Sequence, residues 1–289
     1  MNELRSTIYE LLAKSAEAYG TQDAFRYKVK SADESGKKET KIESKTYRQL
    51  KDDTDRFKAA IAELGEQGKH IAIIGATSYS WVVAYYAITT GGSVAVPLDV
   101  NLPAEDLCEL LDRADVTTLV YDEIKADVAI MAKEKCPKLK NKIAMEAESK
   151  VPDVLHMWDL IEKASPADAY IPKPEDLATI MFTSGTTGKS KGVMLTHRNL
   201  AENATALDMG YEPGMVSMSV LPIHHAYCLS MDILKGNSIG AIVCINDSLL
   251  RVAKNIKLFE PNMILMVPLM VDTLAKKLEE AALVPAPII

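Results

Sequence analysis

Two periods of apolar and polar positions alternate along the chain, and together they outline its elements. Leu4, Ile8, Leu11 and Leu12 recur at helical spacing, which predicts a helix over 4–18 ended by Gly20. Segments 25–30 and 39–44 flank a polar turn containing Gly36 and read as a solvated hairpin. Thr46 followed by Gln49 is a capping-box pattern, and the helix behind it gathers Leu50, Phe57, Ile61 and Leu64 on one face before Gly65.

The next stretch differs in kind. From Ile71 to Leu98 there is no formal charge, as there would be none in a membrane span. Its punctuation argues otherwise: 70–75 reads as a buried strand, 79–90 as a helix, Gly91 and Gly92 as its stop, and 93–97 as a second strand. A βαβ unit covered on both faces sheds its charges for the same reason a lipid-embedded segment does.

Beyond it the alternation continues, with helices predicted over 103–113, 123–134, 156–164, 197–207, 225–236, 248–258 and 268–282. Strands are expected over 117–121, 142–146, 177–182, 192–195, 216–221, 239–245 and 262–267. This order is that of an α/β protein whose mostly parallel sheets are flanked by helices in layers. Segment 168–175, with Pro172 and Pro174, is the most linker-like and marks a possible subdomain division between two sheet systems. Segment 283–289 places two prolines before an apolar end and reads as an atypical tail.

The densest chemistry lies at Thr183-Ser-Gly-Thr-Thr-Gly-Lys-Ser-Lys-Gly192, directly after the apolar run Ala178-Thr-Ile-Met-Phe182. Gly185, Gly188 and Gly192 let backbone N–H groups turn toward an anion. Thr183, Ser184, Thr186 and Thr187 add hydroxyl donors, while Lys189 and Lys191 add positive charge. Tracts of Gly and Ser are often mere connectors, but two lysines and a buried strand in front favour a phosphate-binding loop. A Walker A loop is the first candidate, since Gly188-Lys-Ser190 has its ending. That motif needs glycine at 183 and a helix opening at the lysine. Here Thr183 occupies the first place, an apolar strand pattern follows, and the next helix is capped later, by Thr196 or Asn199.

A second motif, Pro222-Ile-His-His225, leaves the strand expected at 216–221. Ligands gather outside the carboxyl ends of strands in open α/β sheets, so parallel strands 177–182 and 216–221 would open both motifs on one crevice. Capping of a helix start competes as a reading of both histidines. Cys228, Met231 and Leu234 form one apolar helix face, which reads first as core packing, with part of it a candidate wall for an apolar tunnel.

Composition narrows the classes. A net charge of −7 argues against a general nucleic-acid-binding surface, and 48% hydrophobic with 25% charged residues is ordinary globular usage. Cys108, Cys136, Cys228 and Cys244 are far apart, with no C-x-x-C pair and no His cluster at zinc spacing, so they read as reduced, mostly buried thiols. With no apolar signal core at the N-terminus, a cytoplasmic location is expected.

The run from Ile180 to His197 resembles the signature loop of the adenylate-forming, or AMP-binding, superfamily of acyl-CoA synthetases, luciferases and peptide-synthetase adenylation domains. Ser190 stands where proline is commonest in that family. Thr46-Tyr47 with Leu50, Val96-Pro-Leu-Asp99 and Leu221-Pro-Ile-His-His-Ala-Tyr227 sit in the family's order, and the style of 250–261 is most similar to long-chain fatty acyl-CoA synthetases. No stretch after Tyr227 resembles the family's adenine, ribose, hinge or lid-lysine motifs. The resemblance therefore covers the N-terminal part of an adenylation domain, over 1–282, with the C-terminal lid domain absent.

Such a likeness implies ATP, Mg²⁺ and coenzyme A as cofactors, and a carboxylate, most simply a fatty acid, as substrate. It places phosphate binding at Thr183, Ser184, Gly185, Thr186, Thr187, Gly188, Lys189 and Lys191, with Thr183 also near the metal. It sets His225 at the acyl-carboxylate end of the pocket. A chain without the later motifs is expected to be inactive alone, with at most a peripheral association with membranes. A non-catalytic nucleotide- or acyl-binding module and a divergent P-loop-like ATPase stay open as alternatives.

Overall fold

Local signals set most element ends. In the computed structural model, which describes residues 4–32, 38–166, 170–183, 190–208 and 210–282, α1 (Ile8–Tyr19) starts at Thr7, whose hydroxyl accepts from the Glu10 N–H at 3.0 Å. Leu4, expected inside this helix, lies before it and is exposed. The hairpin is formed by β1 (Asp23–Ala32) and β2 (Lys38–Thr46), antiparallel and longer than expected. Thr46 and Gln49 close a reciprocal capping box on α2 (Tyr47–Glu63).

The uncharged run resolves into β3 (His70–Ile74), α3 (Tyr79–Thr90) and β4 (Val94–Leu98). Among the described residues no helix is long and apolar enough to cross a membrane. Then come α4 (Ala104–Arg113), β5 (Val116–Tyr121), α5 (Ala126–Lys135), β6 (Asn141–Ala144), β7 (Leu155–His156) and α6 (Met157–Lys163). The two-residue β7 was not expected, because so short a strand has no period to read. The helix predicted from 123 opens with a 3₁₀ turn, Glu123–Lys125, before α5.

Past the linker-like segment lie β8 (Leu177–Thr183), β9 (Lys191–Thr196), α7 (His197–Ala206) and β10 (Val216–Ser219). The helix expected over 225–236 begins as α8 (Ala226–Cys228), passes through a π-helical turn at Leu229–Leu234 and ends as α9 (Lys235–Ser238). β11 (Ile242–Ile245), α10 (Val252–Phe259), β12 (Met263–Ile264) and α11 (Pro268–Ala282) complete the described chain.

Two sheets result. One runs β7-β6-β5-β3-β4-β8-β9 and the other β12-β10-β11-β1-β2, each parallel except for its terminal hairpin. The segment ending at Glu175 does not separate them. β8 and β9 follow that segment yet extend the sheet of β3 to β6, while β1 and β2, near the N-terminus, join the sheet of β10 to β12. Strand partnership is chosen by which faces can be buried together, and linker composition does not report it.

Alternation along β3 explains the missing charges. Ile71 and Ile73 face one core and Ala72 and Ile74 the other, so both sides of the strand are covered. α3 is enclosed on nearly every side: Tyr85 Oη lies 2.9 Å from Thr179 Oγ1 of β8, and Tyr86 Oη donates to Asn237 Oδ1 of α9 at 2.7 Å. A helix gripped between two sheet systems has no solvent face on which to place a charge. Burying its Trp81, Tyr85 and Tyr86 side chains contributes about 2 to 3 kcal/mol each. All four cysteines are free, as their spacing implied, and all four are buried.

Candidate active site

β8 ends at Thr183 and the chain returns as β9, antiparallel, with Thr183 opposite Lys191 and Phe182 opposite Gly192. Ser184, Gly185, Thr186, Thr187, Gly188 and Lys189 lie outside the described residues. At Gly192 a Cβ would sit 3.1 Å from Ile180 Cγ2, a tight contact that the isoleucine would have to yield to. The turn therefore joins strand to strand, whereas a Walker A loop joins strand to helix. The next helix, α7, begins only at His197, where Thr196 and Asn199 form a second capping box.

A cavity of about 430 Å³ opens at the carboxyl ends of β4 and β8. Pro97, Leu98 and Asp99 form one wall, Phe182, Thr183 and Ser190 a second, and His224 and His225 a third. β8 and β10 belong to different sheets, so the two motifs are not brought together by parallel pairing within one sheet. They converge across the junction between the sheets. Lys191, at the base of the hairpin, is exposed opposite Thr183.

The two histidines differ. His224 is buried, with Nε2 3.5 Å from Asp99 Oδ1, and burial holds its imidazole below the ordinary value while Asp99 pulls the other way. His225 is exposed at the cap position of α8, and its side chain makes no capping hydrogen bond. Capping therefore does not account for the His225 side chain. The two rings are 4.3 Å apart, and both reach the cavity.

Sequence reasoning passed over two neighbours. Arg113, in the last turn of α4, donates through Nη2 to the Ser190 carbonyl at 2.7 Å and lies 5.8 Å from the Phe182 ring centroid. An arginine at a helix C-terminus is commonplace, so nothing local marked it. Asp99 stood inside a quoted motif, but only the fold sets it against His224.

Beside the cavity runs an apolar groove of about 740 Å³, walled by Leu195, Leu200 and Leu207 on one side and by Ala226, Tyr227 and Met231 on the other. His225 lines the cavity and Ala226 the groove, so consecutive residues face a chamber carrying Asp99, Thr183 and two histidines and an apolar channel. Of the face Cys228, Met231 and Leu234, only Met231 reaches the groove; the other two are buried in the core. No group of three or more His, Cys, Asp or Glu among the described residues is placed to hold a metal ion.

The family of AMP-binding enzymes matches residues 12–286. This chain belongs to that family. It is 28% identical over 263 residues to the long-chain-fatty-acid–CoA ligase 5 of Rattus norvegicus, an alignment covering 83% of this chain and 38% of the ligase. The chain thus spans well under half the length of that relative. The N-terminal domain of FACL13 from Mycobacterium tuberculosis shares the fold with a TM-score of 0.79 at 21% identity, covering 97% of this chain and 67% of that one. The adenylation domain of a carboxylate reductase from Mycobacterium chelonae gives 0.82 at 20% identity, covering 98% and 49%. The α/β architecture described above is therefore that of the N-terminal adenylation domains of the family.

Proposed function

We propose that the chain is the phosphate- and acyl-binding part of an AMP-forming acyl-CoA synthetase acting on fatty acids. The observation that carries this reading is at His225 and Ala226, consecutive residues of which the first lines the cavity at the hairpin mouth, with Asp99, Thr183 and His224, and the second lines the apolar groove. A fatty acid has the same two-part form, a carboxylate on an apolar chain. In the first step a carboxylate oxygen bonds to the α-phosphorus of ATP and the bond to the pyrophosphate oxygen breaks, giving acyl-adenylate. A thiol, coenzyme A, then displaces AMP.

Negative charge grows on the departing pyrophosphate; Thr183 lines the cavity and Lys191, exposed, is its partner across the hairpin, so a hydroxyl and an ammonium donor are at hand to meet it. Ser184, Gly185, Thr186, Thr187, Gly188 and Lys189 complete that loop by sequence. His225 would orient the acyl carboxylate. Magnesium usually keeps most of its shell as water and substrate phosphate oxygens, taking few protein ligands. The hydroxyl of Thr183 fits that modest demand, and when bound the ion would neutralise phosphate charge.

Calorimetry tests the assignment. The chain should bind pyrophosphate, and the double substitution Lys189→Ala with Lys191→Ala should weaken binding by about 1.5 to 3 kcal/mol per lost charge-assisted contact; an unchanged affinity would sink the phosphate-loop assignment. Alone, the 289 residues should release pyrophosphate from ATP and fatty acid far more slowly than the roughly 1 to 10³ per second of ordinary enzymes. Joined to the downstream portion of a long-chain ligase, they should yield AMP rather than ADP. There, His225→Ala should impair use of the carboxylate more than binding of ATP.

A further inference from the structure

The helix that follows His225 is wound irregularly in one place. Between α8 and α9 the turn Leu229–Leu234 is π-helical, a form that inserts an extra residue and is frequent at functional sites. Inside it sits Asp232, 1% exposed. Its Oδ2 accepts a hydrogen bond from the Ser219 hydroxyl of β10 at 3.0 Å, and the Cys228 thiol approaches the same oxygen at 3.7 Å. Its Oδ1 has no partner, and burial pushes the carboxyl up to about 7. A buried acid with an orphaned oxygen lowers stability, and a leucine of similar volume would not carry that penalty. The residue calls for a reason other than stability.

Geometry supplies one. Both ends of the helix are pinned: the Cys228 thiol donates to the Leu221 carbonyl at 3.3 Å, Lys235 donates to the Leu207 carbonyl, and Asn237 accepts from Tyr86. Between these anchors, Ser230 and Met231 of the π-turn, with Ala226 and Tyr227 before it, wall the apolar groove. Rewinding the turn as α-helix would rotate one side against the other by about 100°. Either those side chains would leave the groove, or Lys235 and Asn237 would leave their partners.

We propose that Asp232 is a positioning residue that holds this turn through Ser219, and thereby shapes the groove wall and sets which acyl chains fit. The inference rests on the acyl reading of the groove given above. The full chain, Asp232→Asn and Asp232→Leu are titrated with saturated fatty acids from medium to long chain, and amide hydrogen exchange is followed across Leu229–Leu234. The asparagine keeps the shape and an acceptor oxygen, so it should share the wild-type length preference and exchange pattern. Asp232→Leu should shift the preferred length, alter the exchange pattern and bind the wild-type favourite about tenfold or more weakly.

Ser219→Ala, which cuts the tie from the β10 side, should act in the same direction and serves if Asp232→Leu does not fold. A wild-type length profile and exchange pattern in either disruptive variant overturns the proposal. If the wild type binds no fatty acid, the acyl reading of the groove falls and exchange alone decides. An unchanged pattern across Leu229–Leu234 then overturns the positioning role, and an altered one rescued by asparagine upholds it.

Discussion

Replacing Asp232 with asparagine should change how stability depends on pH, and the size of the change follows from its burial. An unfolded aspartate titrates near 3.8, whereas Asp232 in the fold is pushed up to about 7. Between those values the folded chain holds a proton that the unfolded chain releases, so stability falls as pH rises through the window and stays low above it. At about 1.4 kcal/mol per pH unit, the wild type gives up roughly 4 kcal/mol between about pH 4 and pH 8. The groups facing the carboxyl do not offset this. Ser219 donates to it and the Cys228 thiol only lies against it, and the Cys228 thiol and the Tyr211 phenol are both raised, by burial first and then by its field, and stay neutral. Asparagine cannot ionise, and its buried amide costs about 1 to 3 kcal/mol at every pH alike. Urea unfolding of both proteins at about pH 4 and pH 8 reads the difference. The variant should gain several kcal/mol on the wild type at the higher pH; a gap that stays flat across the range would show that Asp232 ionises freely in the fold and would refute the reasoning.

Other expectations are independent of that residue. His197 is buried, accepts the Ile8 N–H through Nδ1 at 3.3 Å and is held at about 4 by burial, so the fold should lose up to roughly 3 kcal/mol as pH falls from 6.5 towards 4. His197→Gln should flatten that acid limb in a urea series, and an unaltered limb would count against it. Gly240→Ala should lower the thermal midpoint by the equivalent of more than about 1 kcal/mol, since Gly240 has φ of 73° and a Cβ there would meet the Tyr19 ring at 2.9 Å. Thr46→Ala, which opens the capping box of α2, should cost about 1 kcal/mol by the same assay.

Much of this molecule is written locally. Thr46 with Gln49 and Thr196 with Asn199 satisfy helix N–H groups within four residues, so both helix starts are legible from a short window. The uncharged run 71–98 declares strands covered on both faces, and its glycines place the breaks. Family resemblance located the loop from Thr183 to Lys191 and the His225 turn, because those motifs are contiguous.

Tertiary structure decided the rest, and for one physical reason: burial energy depends on which surfaces meet, not on distance along the chain. Nothing within β1 says that it pairs with β11 more than two hundred residues later, nor within β8 that its sheet is not that of β10. The cavity walls come from β4, β8 and the turn after β10, so Asp99 meets His224 and Arg113 meets Ser190 only once those layers close. The π-turn is likewise a compromise between two distant anchors, Leu221 and Leu207, and helical periodicity over 225–236 could show the helix but not the extra residue wound into it.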